Sequence, residues 1–482
     1  MIKKQNSKNH EVRVRIAPSP TGFFHIGTAR TALFNFLFAK KNKGSFILRI
    51  EDTDKKRSQK HFEQDIIDGL EWLGILEDEG LVKGGKFGPY RQSERTLIYQ
   101  KYLKKLLKEG KAFYCFEKEE IEQGIGEFKE AHFSQDRDLP LKEAEKRIAQ
   151  GEPHIIRFKT PRKQKIVFDD LIRGKVEFDS ELIGDFSIAK KIDESLYNFA
   201  AAIDDYEMQI SHVIRGDDHI SNTPKQLLIQ DALEFLHPQY AHLPLILGPD
   251  RTKLSKRHNT VALKDYKNDG YLPEALVNFM AFLGWNPGTD REIFSLPELI
   301  DTFSLKRVQS AGAIFDLKRL NWINGYYIRK TPIPQLIKLA KSYFADEEVN
   351  QDYLEKILLV SRDRLKKLSD LPKDTEFFFK KPHYETSLLY WKDMKAEDVK
   401  KSLQASLGIL QGLKIYQFKK EDLEIMLLKQ AELFNRNDRG GLLWPLRAAL
   451  TGLNASPSPF EIAAILGKKE SINRIREAIK KI

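Results

Sequence analysis

The chain has 482 residues, which at roughly 150 per domain means about three domains and excludes a single small binding module. Lys plus Arg is 80 against 69 Asp plus Glu, a formal charge of +11 that suits a polyanionic partner, yet with 31% of residues charged and both signs abundant it favours nucleic acid only slightly. The single cysteine, Cys115, forbids an intramolecular disulfide and a multi-thiolate zinc site, and no apolar run approaches the ~18 residues of a membrane helix.

Met1 to His10 is polar and basic, so no secretory leader is expected; with the cysteine usage this points to a cytoplasmic protein without a membrane partner. From Val12 to Ile16 apolar and basic residues alternate as in a strand, which the turn-forming Ala17-Pro18-Ser19-Pro20-Thr21-Gly22 ends. A helix follows, with Thr28 as N-cap, Leu33, Phe34, Leu37 and Phe38 on its apolar face and Gly44 as its stop, and then a strand over Ser45 to Ile50. Such a βαβ unit places ligands at the carboxyl ends of its strands, where a helix N-terminus presents unpaired N–H groups.

Further helices are expected at Gln59 to Leu73 and at Glu94 to Glu109, the latter with Leu97, Ile98, Leu103, Leu106 and Leu107 on its apolar face. Short β-type runs at His154 to Lys159, Ile166 to Phe168 and Lys175 to Phe178 read as an insertion over 111–196. The α/β pattern resumes over 197–247, with a strand at Gln209 to Arg215 and a helix capped by Ser221 or Asn222 with Pro224 in its first turn. From about Pro273 onward the pattern is almost wholly helical, with Pro-containing loops near Asp370 to Lys373 and Ala455 to Phe460.

Two short motifs carry chemistry. In Arg15-Ile16-Ala17-Pro18-Ser19-Pro20-Thr21-Gly22 followed by His25-Ile26-Gly27-Thr28, the His25 imidazole at a helix N-terminus can donate to a phosphate oxygen, and Gly27 lacks a side chain that would block a nucleotide. In Lys253-Leu254-Ser255-Lys256-Arg257, ammonium groups on a loop opened by Gly248-Pro249-Asp250 can close over a triphosphate. Each alone reads more readily as an ordinary turn or a solvated basic loop.

Together they resemble the paired HIGH and KMSKS signatures of class I aminoacyl-tRNA synthetases, here HIGT and KLSKR. Thr28 in place of the final His is common in glutamyl-tRNA synthetases. RIAPSPTGFFHIGTARTALFNFLFA, FILRIEDTD, GPYRQSER, YNFAAAIDDYEMQISHVIRGDDHISNTPKQ and KLSKR occur in the order and about the spacing of the bacterial members of that family, and the likeness continues through RVQSAGAIFDLKRLNWINGYYIR to WPLRAALTG.

The resemblance implies an α/β fold: a Rossmann-like parallel-sheet catalytic domain (1–110 and 197–247) with an α+β acceptor-end insertion (111–196), a stem-contact region bearing KLSKR (248–330) and an all-α anticodon-binding domain (331–482). It implies ATP-dependent attachment of glutamate to tRNA for glutamate through a glutamyl-adenylate, with Mg²⁺ on the phosphates, in a monomer. Glutamate brings two carboxylates and an ammonium, so its pocket needs two cations and an anion, which Arg15, Arg215 and Glu51 supply.

The resemblance likewise puts Arg15, Ser19, Glu51, Tyr197, Asn198 and Arg215 around the amino acid, Arg15 and Tyr197 on its side-chain carboxylate and Glu51 on its ammonium. Asp218 and His219 resemble ATP-side positions, with His25, Gly27, Lys253, Ser255 and Lys256. The attacking carboxylate is already ionised, so His25, Lys253 and Lys256 would act by stabilising phosphate charge rather than as bases. Acyl transfer goes to the terminal adenosine of tRNA, by resemblance through its 2′-hydroxyl.

Some members carry zinc in the insertion; Cys115 has no cysteine partner, so no metal site and no structural zinc are expected here. Arg364 resembles the position where enzymes restricted to tRNA for glutamate carry Arg, and it could equally lie on a solvated helix face. A helical rather than β-barrel C-terminal region argues against a glutaminyl enzyme. Intact KLSKR lysines argue against a non-catalytic RNA-binding paralogue, and the helical appendage against a small-molecule nucleotidyltransferase.

Overall fold

The computed structural model describes residues 11–117, 131–254, 262–344, 349–434 and 438–482. It divides into two compact units, Met1–Lys267 with Pro273–Leu320, and Asn268–Leu272 with Asn321–Ile482.

The first unit is built on a seven-stranded sheet whose strands are β1 (Arg13–Ile16), β2 (Ser45–Leu48), β3 (Glu79–Gly80), β6 (Lys165–Asp170), β7 (Gly174–Asp179), β10 (His212–Gly216) and β11 (Gln239–Leu243), in the order β3-β2-β1-β10-β11-β6-β7. All pairings are parallel except β6 with β7. The chain runs from β1 outward to β3 and later from β10 outward to β11, so the strand order reverses between β1 and β10. A crevice opens there at the carboxyl ends of the strands. Every residue of β1 is buried, as both-face coverage of a parallel sheet requires. The basic half of its alternation therefore turns inward: Arg13 pairs with Glu79 and Arg15 with Asp205.

The helix after β1 spans Ile26–Lys41 and is capped by His25, not Thr28. The imidazole Nδ1 accepts from the N–H groups of Gly27 and Thr28 at 3.1 and 3.3 Å, which moves the cap three residues upstream of Thr28. It ends at Asn42, and the Gly44 N–H returns to the Ala39 carbonyl. A Cβ on Gly44 would lie 2.0 Å from the Val12 carbonyl oxygen, so this turn into β2 admits only glycine. The next helices are Lys60–Trp72 and Thr96–Lys108. In the latter the buried stripe is Tyr99, Tyr102, Leu103, Leu106 and Leu107, while Leu97 is 81% exposed because it lies on the first turn, off that stripe.

The 111–196 segment, expected as one insertion, is divided between two sheets. Its strands β4 (Ala112–Cys115), β5 (Ile155–Phe158), β8 (Phe186–Lys191) and β9 (Glu194–Ser195) form a separate antiparallel sheet. The β6–β7 hairpin instead extends the parallel sheet. The cause is Asp170 at the end of β6, whose carboxylate accepts the backbone N–H of His242 on β11 at 3.0 Å and its imidazole Nδ1–H at 2.7 Å. Beyond β11, β12 (Ile246–Leu247) pairs with β13 (Ala313–Ile314), and helices Pro273–Ala281 and Leu296–Thr302 complete the unit.

The second unit is all-helical. Helices Ala396–Gly412, Lys420–Phe434, Gly440–Thr451 and Pro459–Lys481 enclose a core that includes Leu403, Leu410, Leu423, Leu427, Leu446 and Ile475. Near Asp370 to Lys373 the expected loop is a short helix, Leu371–Thr375, with Pro372 in its first turn, a position where the missing proline N–H costs nothing. Among the described residues no helix is long and apolar enough to cross a membrane.

Candidate active site

A cavity of about 680 Å³ occupies the crevice between β1 and β10. Of the residues expected in the site, Arg15, Ser19, His25, Gly27, Glu51, Tyr197, Arg215, Asp218, His219 and Lys253 all line it. Asn198 does not; its Oδ1 instead accepts the Gln226 Nε2–H at 3.3 Å. Ser255 and Lys256 lie outside the described residues.

Arg15 leaves β1 and Glu51 follows β2, and both are buried by a charge network whose other members the sequence reading missed. Arg15 Nε and Nη2 donate to Asp205 Oδ1 and Oδ2 at 3.0 and 3.3 Å. Arg49 Nη1 donates to the same Asp205 Oδ1 at 2.8 Å, and its Nη2 to Glu51 Oε1 at 3.0 Å. Asp204 accepts from Arg95 Nε at 2.6 Å and from Tyr99 Oη and Gln92 Nε2 at 2.8 Å. The helix Tyr197–Glu207 supplies Tyr197, Asp204 and Asp205 at i, i+7 and i+8, which are neighbours on one helix face.

Burial pushes the Asp205 carboxyl up, but the guanidinium groups of Arg15 and Arg49 outweigh it and hold the group at about 2. For Glu51 the balance goes the other way: burial raises it above the ordinary carboxyl value despite Arg49 and Arg15. A substrate ammonium brought beside it would supply the missing favourable charge.

Arg215, at the end of β10, has quite different partners. Its Nε, Nη1 and Nη2 donate to His242 Nε2 at 3.3 Å, Gln226 Oε1 at 2.9 Å and Thr223 Oγ1 at 2.7 Å. Tyr197 Oη lies 3.1 Å from His219 Nδ1. Burial, reinforced by the Arg215 charge, holds His219 at about 4, so the ring is neutral at pH 7.

On the opposite wall, His25 uses Nδ1 to cap its own helix, so the proton sits on Nε2. That nitrogen is 3.0 Å from Thr28 Oγ1, the residue that departs from the HIGH signature. Burial lowers the His25 pKa and keeps the ring a neutral donor. A Cβ at Gly27 would meet His25 Cε1 and Nδ1 at 3.1 Å, so this glycine first makes room for the imidazole itself. Exposed Lys253 reaches Asp218 at 3.9 Å. Arg30, another lining residue absent from the sequence reading, is buried with its Nη1 on the Leu283 carbonyl.

No group of three or more His, Cys, Asp or Glu side chains suited to a metal ion occurs among the described residues. Cys115 is buried, with Sγ 3.6 Å from Ser134 Oγ and 3.7 Å from Glu117 Oε2.

In the helical unit, Arg364 is exposed in the turn that follows helix Gln351–Ser361, rather than on a helix face. It lies close enough to Arg447 that its charge adds to the effect of burial in lowering the Arg447 pKa.

A doubly wound sheet with a histidine-capped helix at its switch point, joined to a helical unit, is the plan of a class I synthetase. Residues 11–322 match the family "tRNA synthetases class I (E and Q), catalytic domain", and residues 335–479 match "Anticodon binding domain". The chain is 44% identical to a glutamate–tRNA ligase of Carboxydothermus hydrogenoformans over 96% of this chain and 99% of that one. It is 42% identical to glutamate–tRNA ligase 2 of Caldicellulosiruptor saccharolyticus over 98% and 99%. The crystal structure of a glutamate tRNA ligase from Elizabethkingia meningosepticum in complex with its amino acid superposes with a TM-score of 0.85 at 34% identity, covering 98% of this chain and 99% of that one. The chain belongs to the glutamate–tRNA ligase family of class I aminoacyl-tRNA synthetases.

The histidines give the first unit a distinctive acid response. Burial holds His212, on β10, at about 4, as it does His219. An unfolded histidine titrates near 6.5, so between about pH 6.5 and 4 the unfolded chain binds more protons and stability falls with falling pH. Thermal unfolding of the first unit should therefore shift to lower temperature from pH 7 to pH 4.5, and His212→Gln should flatten the dependence; a midpoint constant over that interval would contradict the assignment.

Proposed function

We propose that this protein activates L-glutamate with ATP and transfers it to tRNA for glutamate, for use in protein synthesis. The observation that carries the reading is the convergence of Arg15, Arg215 and Glu51, from three neighbouring strands, on one cavity whose far wall is a histidine-capped helix N-terminus. Two cations and an anion match the charges of glutamate, and the helix N-terminus with His25 and Lys253 suits a polyphosphate.

In the first step an α-carboxylate oxygen of glutamate bonds to the α-phosphorus of ATP, and the bond to pyrophosphate breaks with its electron pair leaving on pyrophosphate. The carboxylate needs no base. Arg15 and Tyr197 hold the side-chain carboxylate, Glu51 holds the ammonium, Arg215 supplies the second cation of the pocket, and Ser19 stands at the rim. On the nucleotide side His25 Nε2–H, exchanging Thr28 Oγ1 for a phosphate oxygen, and the ammonium groups of Lys253 and Lys256 donate to phosphate oxygens, with Gly27, Ser255, Asp218 and His219 completing that wall. Mg²⁺ carried on the phosphates supplies further charge neutralisation. In the second step a hydroxyl of the terminal ribose of tRNA, the 2′-hydroxyl in this family, displaces AMP from the adenylate.

The segment 111–196, apart from its β6–β7 hairpin, meets the acceptor end, 248–330 the stem and 331–482 the anticodon, where Arg364 reads or stacks on a base. The protein is taken as a cytoplasmic monomer. Structural zinc is not part of the reading, because the chain has one cysteine.

Purified protein with ATP, L-glutamate and tRNA for glutamate should form glutamyl-tRNA and release pyrophosphate; no ester on any tRNA would refute the proposal. His25→Ala should lower kcat on the order of a hundredfold, as for loss of one donor to developing charge, with the glutamate KM changed only a few-fold. Arg364→Gln should let tRNA for glutamine be charged, reducing discrimination at the third anticodon base by about 1–3 kcal/mol; unchanged rejection of that tRNA places the selector elsewhere.

A further inference from the structure

The two arginines at the amino-acid end of the cavity are not electrostatically equivalent. Arg15, Arg49 and Arg95 face Glu51, Asp204 and Asp205, three guanidinium groups against three carboxylates, so that network balances its own charge. Arg215 stands outside it. It is 5% exposed, and its hydrogen-bond partners among the described residues, His242, Gln226 and Thr223, are neutral at pH 7.

The cradle is fixed from behind. Asp170 takes the His242 Nδ1–H at 2.7 Å, which leaves the Nε2 lone pair facing Arg215 Nε and Thr223 Oγ1. Asn198 Oδ1 takes the Gln226 Nε2–H, which turns Gln226 Oε1 toward Arg215. Gln226, Thr223 and His242 are all fully or almost fully buried. A buried guanidinium whose hydrogen bonds are met but whose charge is not is costly unless a ligand brings the counter-charge.

We propose that this neutral cradle, and Gln226 above all, sets the requirement for an anionic side chain on the amino acid: Gln226 is a specificity-determining positioning residue that satisfies Arg215 without neutralising it. The inference rests on the reading of the cavity as a glutamate site. A carboxylate at position 226 would take the same N–H and cancel the charge that a substrate carboxylate completes. A substrate carboxamide, of the same shape as the carboxylate, cannot complete it at all.

The test is Gln226→Glu in the full chain, with charging by glutamate and by glutamine measured in the presence of tRNA. Neutralising a buried charge a few ångströms from its ligand should raise the glutamate KM about tenfold or more. The preference for glutamate over glutamine should fall by a similar factor, while kcat at saturating glutamate and the KM for ATP hold within a few-fold. Gln226→Met removes the acceptor that positions Arg215 without adding charge, so it should raise the glutamate KM a few-fold while keeping the parent preference for glutamate over glutamine. Thr223→Asp, made alongside, places a carboxylate on Nη2 and should repeat the Gln226→Glu result should that variant fail to fold. Folded carboxylate variants that retain the parent preference overturn the proposal, as does Gln226→Met losing it equally, since a purely structural role would treat the substitutions alike. Failure of the underlying reading looks different: the parent itself charges no tRNA with glutamate.

Discussion

The site depends on one shared carboxylate. Asp205 lies between two guanidinium groups, Arg15 on β1 and Arg49 just after β2, and without an anion between them these buried cations would repel each other. The pairing ties the helix Tyr197–Glu207 to the sheet. The preceding residue, Asp204, extends the tie to the helix Thr96–Lys108 through Tyr99 and, through Arg95, to its N-cap. Removing one partner from such a buried set typically costs about 3–5 kcal/mol, because the remaining charge is left uncompensated. The same contacts that hold the elements together therefore hold Arg15 at the cavity wall in one orientation.

That arrangement separates two tasks that the sequence presents as one. A charge-balanced network gives geometry: Arg15 is rigid and Glu51 is held by Arg49 beside it. An unbalanced guanidinium gives affinity for an anion: Arg215 has its donors occupied by neutral groups, with Asp170 one imidazole ring away behind His242. His25 likewise does two things, meeting the first N–H groups of its helix with Nδ1 while its Nε2–H turns to Thr28 Oγ1 at the cavity wall. In each case a backbone or buried side-chain requirement fixes which atom of the functional group remains for substrate.

Much of this was legible from the residues. Strand–loop–helix–strand punctuation located β1, the first helix and β2, and the HIGT motif with Lys253 and Leu254 of KLSKR located the cavity. Three features escaped. Alternation along β1 marked a strand but could not tell that Arg13 and Arg15 turn inward, since ion-pair partners about 65 and 190 residues away are invisible to local pattern. The adjacent acids Asp204 and Asp205 directly after the apolar FAAAI of that helix were a signal, because two charges on the buried face of a helix require partners. The β6–β7 hairpin looked like part of the insertion because sheet membership there is decided by Asp170 meeting His242, a contact between distant segments.

The central claim is that Asp205 acts on glutamate through Arg15. A double-mutant cycle measures this directly, with kcat/KM for glutamate compared in Arg15→Gln, Asp205→Asn and the double variant. If Asp205 works through Arg15, the double variant loses little more than the worse single one, a coupling of about 1–3 kcal/mol. Losses that simply add would contradict it.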